Sequence, residues 1–130
     1  MADKKILIVD DENYIRLLLR RTLEDFEYEG VALLTAEDGQ LGLDAAREHV
    51  PDLIFLDLMM PKMSGDEVCR HIRQDPALRG VHVIVLTAKG QLPDFEEGLG
   101  PDECMTKPFD PDQIVLRASQ VLGIDLGYDL

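Results

Sequence analysis

The sequence predicts an α/β domain: a doubly wound, five-stranded parallel sheet with helices on both faces. Three observations carry that prediction. Short apolar runs at about 5–10, 30–35, 52–57, 81–86 and 102–105 alternate with segments of helical periodicity. Most of these runs are nearly continuous in hydrophobicity, as in Ile6-Leu7-Ile8-Val9 and Val83-Ile84-Val85-Leu86, which marks strands covered on both faces. The chain has 130 residues, 45% of them hydrophobic, which is enough for one domain with a single sheet core.

The elements follow in order. Ile15, Leu18, Leu19, Leu23 and Phe26 recur at helical spacing after the first run, with Arg16, Arg20, Arg21, Glu24 and Asp25 opposite them. Leu41, Leu43, Ala45 and Ala46 mark the helix after the second run. Ser64-Gly65-Asp66-Glu67 is a capping-box sequence, so a third helix begins there and runs to about Gln74. Between the fourth and fifth runs, Pro93, Gly98, Gly100 and Pro101 interrupt the segment that starts at Gln91, leaving room for one or two helical turns at most. Asp110-Pro111-Asp112-Gln113 opens the last helix, which Gly123 stops after Leu122. The expected domain is therefore 1–123, followed by a short acidic tail at 124–130.

Composition excludes several roles. With 26 acidic and 13 basic residues, the net charge is −13, which ill suits a surface that must neutralise nucleic-acid phosphates. No apolar run approaches the roughly 18 residues needed to span a membrane. Met1-Ala2-Asp3-Lys4-Lys5 leads straight into a strand, so no signal peptide is expected. Cys69 and Cys104 lack metal-ligand spacing and read as reduced thiols of a cytoplasmic protein. His49, His71 and His82 are scattered and form no ligand cluster.

The polar residues that close the apolar runs carry the chemistry. Asp10-Asp11 follow the first run, Asp57 closes the third, Thr87 the fourth, and Lys107-Pro108 the fifth. Each has an ordinary reading alone: a helix cap, a loop acid, a turn hydroxyl, a surface lysine. Those readings leave unexplained why all four fall at the same end of successive strands. Open parallel sheets bind ligands outside the carboxyl ends of their strands. If the first and third strands are neighbours, three carboxylates share a pocket, and a proton or cation must relieve their repulsion. A magnesium ion suits such hard oxygen donors and keeps waters that a phosphoryl oxygen can replace. Three carboxylates, a hydroxyl and an ammonium are what a Mg²⁺-dependent aspartyl-phosphate site requires.

Over residues 4–122 the chain resembles a receiver domain of bacterial two-component response regulators. The resemblance rests on Ile6-Leu7-Ile8-Val9-Asp10-Asp11-Glu12, on Asp57-Leu58-Met59-Met60-Pro61 with Met63-Ser64-Gly65, on Val85-Leu86-Thr87-Ala88-Lys89, and on Thr106-Lys107-Pro108-Phe109. It implies a flavodoxin-like strand order of 2-1-3-4-5. It also implies that Asp57 accepts a phosphoryl group from a phosphohistidine of a sensor histidine kinase or histidine phosphotransfer protein. Asp10, Asp11, Asp57 and the backbone carbonyl of Met59 would hold Mg²⁺, while Lys107 and Thr87 would engage the phosphoryl oxygens. On this reading the chain is a phosphoacceptor regulator, not an enzyme, although it assists its own phosphotransfer and autodephosphorylation.

Two departures accompany the resemblance. Cys104 stands where relatives usually carry the aromatic that swings inward on activation. The resemblance implies that phosphorylation shifts the face made by the helix before the fifth strand, that strand and the last helix. The stretch from Thr87 to Lys107 is about two residues shorter than usual, which implies altered partner contacts on that face. Met59 and Lys89 occupy the positions that tune phosphate lifetime; a Met59 lying over the pocket would slow hydrolysis, whereas one that packs on its loop would not.

A dehalogenase-type phosphatase also uses a strand-ending Asp, but needs an acid two residues on, where this chain has Met59. A phosphate-independent interaction module on the same fold is the remaining alternative. Eight residues after the last helix leave no space for an effector domain within this sequence. Output is therefore expected through contacts with a downstream protein target, as a free regulator or a phosphate relay intermediate, unless the chain is one domain of a longer protein.

Overall fold

The computed structural model describes residues 3–88 and 92–127. Its elements are β1 (Lys5–Val9), α1 (Asn13–Thr22), α2 (Glu24–Tyr28), β2 (Ala32–Ala36), α3 (Gly39–His49), β3 (Leu53–Asp57), α4 (Gly65–Gln74), β4 (His82–Ala88), β5 (Glu103–Lys107) and α5 (Pro111–Leu122). The strands form one sheet in the order β2-β1-β3-β4-β5, every neighbouring pair parallel. This is the flavodoxin-like arrangement that the resemblance implied. None of the described helices is long and apolar enough to cross a membrane.

Side chains along each strand alternate between two cores, as the two-residue period of a strand requires. Ile6, Ile8, Phe55 and Ile84 point to one side, where Leu19, Phe26, Ile114 and Ala118 of α1, α2 and α5 cover them. Leu7, Val9, Ile54, Leu56, Val83 and Val85 point to the other, beneath Leu43, Ala46, Val68, Cys69 and Ile72 of α3 and α4. Burial on both faces explains why β1, β3 and β4 read as unbroken apolar runs.

The register fixes where the polar residues fall. Val9 lies opposite Ala36 and Leu56, Asp57 opposite Leu86, and Thr87 opposite Thr106. The carboxyl ends of β1, β3, β4 and β5 therefore stop along one rim.

The long helical pattern after β1 divides at Leu23, whose backbone (φ −100°, ψ 4°) leaves the helical region before α2 begins. Leu23 and Phe26 stay fully buried across the break, so the apolar pattern gave no sign of it. Ser64 stands at the start of α4, but its side chain makes no capping bond. Asp110 does cap α5, accepting the Asp112 N–H, and Gly123 ends that helix with φ 68°.

Between β4 and β5, residues 92–101 hold no helix, only a turn closed by the Leu99 N–H on the Glu96 carbonyl. Gln91, where the expected turns would begin, lies outside the described residues. Arg73 of α4 anchors the end of this segment. Its guanidinium donates to the carbonyls of Arg79, Val81 and Gly100 and, at 2.7 Å, to the Asp102 carboxylate. Asp102 in turn accepts the Val83 N–H at 2.7 Å, which ties the segment to β4. Met105 of β5 packs on the α5 side, and Arg117 of α5 bonds Glu103. No described helix covers the other face, so β5 alternates between half-buried and exposed residues, and Cys104 is exposed.

Candidate functional site

Asp10 follows directly on β1 and is fully buried, its N–H donating to the Ala36 carbonyl. One carboxylate oxygen accepts the Glu12 N–H at 2.9 Å; the other accepts from Lys107 Nζ at 3.0 Å. Asp57, the last residue of β3, accepts from the same Lys107 Nζ at 3.0 Å. One ammonium from β5 thus reaches across the rim and joins the carboxylates at the ends of β1 and β3. The Lys107–Pro108 peptide that follows is cis.

The remaining expected residues stand around this bridge. Asp11 is exposed, and with Asp10 and Glu12 it forms a group whose carboxylate oxygens lie within 4.8 Å of one another. Thr87 is buried on β4, with its hydroxyl donating to the Ala88 carbonyl at 3.2 Å. Met59 is exposed, two residues beyond Asp57. Lys89 lies outside the described residues.

The loop after Asp57 is folded tightly on the strand end. The Gly65 N–H donates to the Leu58 carbonyl, and a Cβ at Gly65 would fall 2.3 Å from the Asp57 carbonyl oxygen. A Cβ at Gly39 would likewise meet the Met63 carbonyl oxygen at 2.1 Å, so α3 closes on the same loop. Both positions admit only glycine, because the obstacle in each case is backbone.

The electrostatics are those of a crowded acidic notch. Burial pushes the Asp57 carboxyl up to about 6; the Lys107 hydrogen bond opposes this, and the charges of Asp10 and Asp11 add to it. Burial alone would lower the Lys107 ammonium, but its bonds to Asp10 and Asp57 outweigh that and leave it raised. One ammonium does not balance the carboxylates around it. The donors are all hard oxygens, without thiolate or imidazole, and so fit a cation of the magnesium type.

Sequence reasoning passed over two residues here. In the sequence Glu12 is only part of a motif, yet its carboxylate stands beside those of Asp10 and Asp11. Periodicity places Arg16 on the polar side of a helix, yet its Nη1 donates to the Asp10 carbonyl at 2.7 Å. Its position one turn beyond Glu12 is the only signal in the sequence.

This fold and rim define a class, and comparison with known proteins agrees. The chain belongs to the response regulator receiver domain family, whose model matches residues 6–119. It is 43% identical over 122 residues to the alkaline phosphatase synthesis transcriptional regulatory protein PhoP of Bacillus subtilis, covering 92% of this chain and 49% of that protein. It is 41% identical over 124 residues to the phosphate regulon transcriptional regulatory protein PhoB of Pseudomonas aeruginosa, covering 94% of this chain and 53% of that protein. The chain thus spans about half the length of the curated relatives it matches. Among solved structures, the chemotaxis response regulator CheY4 of Vibrio cholerae aligns with a TM-score of 0.77 at 28% identity, over 92% of this chain and 99% of that one. A CheY-like receiver domain protein of Methanospirillum hungatei gives 0.78 at 30% identity, over 92% and 94%. Members of this family are signalling regulators of two-component systems rather than classical enzymes.

Proposed function

We propose that this chain is a phosphorylation-dependent switch whose phosphoacceptor is Asp57. The observation that carries the reading is the Lys107 ammonium held 3.0 Å from both Asp10 and Asp57 at the end of a parallel sheet. Lys107 engages Oδ1 of Asp57, which leaves Oδ2 as the attacking oxygen. That oxygen forms a bond to phosphorus as the bond to a phosphohistidine nitrogen breaks, and the imidazole of the kinase or phosphotransfer protein leaves. The product is an acyl phosphate, a mixed anhydride that water hydrolyses back to the carboxylate and inorganic phosphate.

Asp10, Asp11, Asp57 and the Met59 carbonyl would hold Mg²⁺, which supplies charge neutralisation at the transferring oxygens. Lys107 follows the developing negative charge, trading a carboxylate oxygen for a phosphoryl oxygen. The Thr87 hydroxyl turns from the Ala88 carbonyl to donate to another. The new phosphoryl group brings about two negative charges, and the pull on Thr87 and Lys107 reaches β4 and β5 together. The segment at 92–101, β5 and α5 then present a changed surface to a downstream protein target. The receiver unit is taken as residues 1–123, with 124–130 as its tail, and a cytoplasmic location suits a partner of sensor kinases.

The exposed Cys104 and the helix-free segment beside it favour a second reading, an interaction module that works without phosphate. Incubation with Mg²⁺ and acetyl phosphate, read by intact mass, separates the two. The first reading predicts one added phosphoryl group that Asp57→Asn abolishes; an unlabelled wild-type chain supports the second.

A further inference from the structure

We infer that Arg16 is a positioning residue of the acidic site: its guanidinium fixes the β1–α1 turn and so aims the Asp10 and Asp11 carboxylates at one shared cation. The inference rests on the proposed reading and extends it to a residue one helical turn away from the acids.

The turn has a task that its own residues do not complete. It must hold Asp10, Asp11 and Glu12 with their carboxylates within 4.8 Å of one another, although like charges repel. The helix it leads into begins without a side-chain cap, and its first turn contains no acid. Arg16 spans this junction. Its backbone N–H donates to the Glu12 carbonyl at 3.1 Å, Nη1 donates to the Asp10 carbonyl at 2.7 Å, and Nη2 to Asn13 Oδ1 at 3.2 Å. The planar fork binds the strand end and the helix start at once, which a single ammonium does not do.

Asp10 shows what the fork controls. Its N–H is fixed by the Ala36 carbonyl, its carboxylate by the Glu12 N–H and Lys107, and its carbonyl by Arg16. The last bond orients the peptide plane between Asp10 and Asp11. Without it that plane turns, and Asp11 swings relative to a buried, immobile Asp10.

Arg16 acts on cation binding in two opposed ways. As a positive charge beside the acids it repels a divalent cation. As a tether it preorganises the donors, in the manner of the outer groups that hold metal ligands in place. The short bond to a main-chain carbonyl, with a second donor on Asn13, makes the tether the stronger effect.

Mg²⁺ titration followed by amide NMR shifts, without any phosphodonor, decides between them. Arg16→Met removes the charge and the fork while keeping most of the stem, and it is expected to weaken Mg²⁺ binding about tenfold. Arg16→Lys keeps the charge and one donor, and its loss should be smaller, about threefold. Arg21→Met, an exposed change on the same helix, should leave the affinity unaltered. An Arg16→Met affinity equal to or tighter than wild type overturns the inference, because charge then outweighs tethering. So does a variant that is less stable in urea while its folded form binds Mg²⁺ as wild type does. Should Arg16→Met not fold, Arg16→Lys decides alone: weaker binding supports the tether and unchanged binding refutes it. If wild type itself binds no Mg²⁺, the proposed function falls and this inference with it; if wild type binds and the Arg16 variants match it, only the inference falls.

Discussion

Replacing Asp57 with Asn should stabilise the metal-free protein at neutral pH, although it removes the group on which the proposed chemistry depends. Burial and the neighbouring acids raise the Asp57 carboxyl from 3.8 to about 6, so its charged form is disfavoured in the native state. The unfolded chain pays no such penalty. The native state therefore binds the Asp57 proton more tightly, and stability falls as pH rises from about 4 through 6. Above that window the ionised carboxyl costs at most about 3 kcal/mol, taking about 1.4 kcal/mol for each pH unit. Solvent screening at the open side of the notch reduces this to about 1–2 kcal/mol. Asn resembles the neutral acid in shape and escapes the cost. Urea unfolding in a chelator should then show the variant more stable by that amount near pH 8, with the advantage vanishing near pH 4. Circular dichroism is the suitable probe, because the chain has no Trp. A variant no more stable than wild type at the higher pH, or an advantage unchanged at the lower, would refute the reasoning.

Other perturbations test the same frame. Lys107→Ala leaves the Asp10 and Asp57 carboxylates without their shared cation and should cost about 2–3 kcal/mol near pH 7, measured by urea unfolding; added Mg²⁺ should recover part of the loss. The same variant should still accept phosphate from acetyl phosphate by intact mass, yet show no accompanying shift in the amides of β5. Gly65→Ala forces a Cβ to within 2.3 Å of the Asp57 carbonyl oxygen, and the displaced backbone should cost about 1–3 kcal/mol and slow phosphorylation. Arg73→Ala removes a guanidinium that serves three carbonyls and Asp102; hydrogen exchange should speed up at 99–103 while β1 and β3 stay protected.

What the sequence made legible follows from burial. β1, β3 and β4 are covered on both faces, so their apolar runs stand out from the helical segments around them, and Asp10, Asp57 and Thr87 fall at their ends. β5 was harder to read, because Glu103, Cys104 and Thr106 sit on an edge strand without a helix over one face. Glycine and proline left room for one or two helical turns in the segment before it, but residues 92–101 hold none, only the non-helical turn that the Leu99 N–H closes on Glu96. Arg73 was invisible as its anchor, since the carbonyls it serves come from the α4–β4 turn and from the approach to β5. The same limit hid the geometry of the site. Spacing put Lys107 at a strand end, but only the folded sheet brings it to Asp10, 97 residues away. Arg16 looked like any solvated helix charge, because periodicity assigns a face and not the direction in which a long side chain folds back.

The most direct test is a crystal structure of the chain with Mg²⁺ and beryllofluoride, a mimic of the phosphoryl group. Beryllium should be bonded to one carboxylate oxygen of Asp57, the cation held by Asp10, Asp11, the other Asp57 oxygen and the Met59 carbonyl, and Lys107 Nζ moved onto a fluoride. A cation bound elsewhere, an Asp57 without adduct, or a Lys107 still locked between the two carboxylates would contradict it.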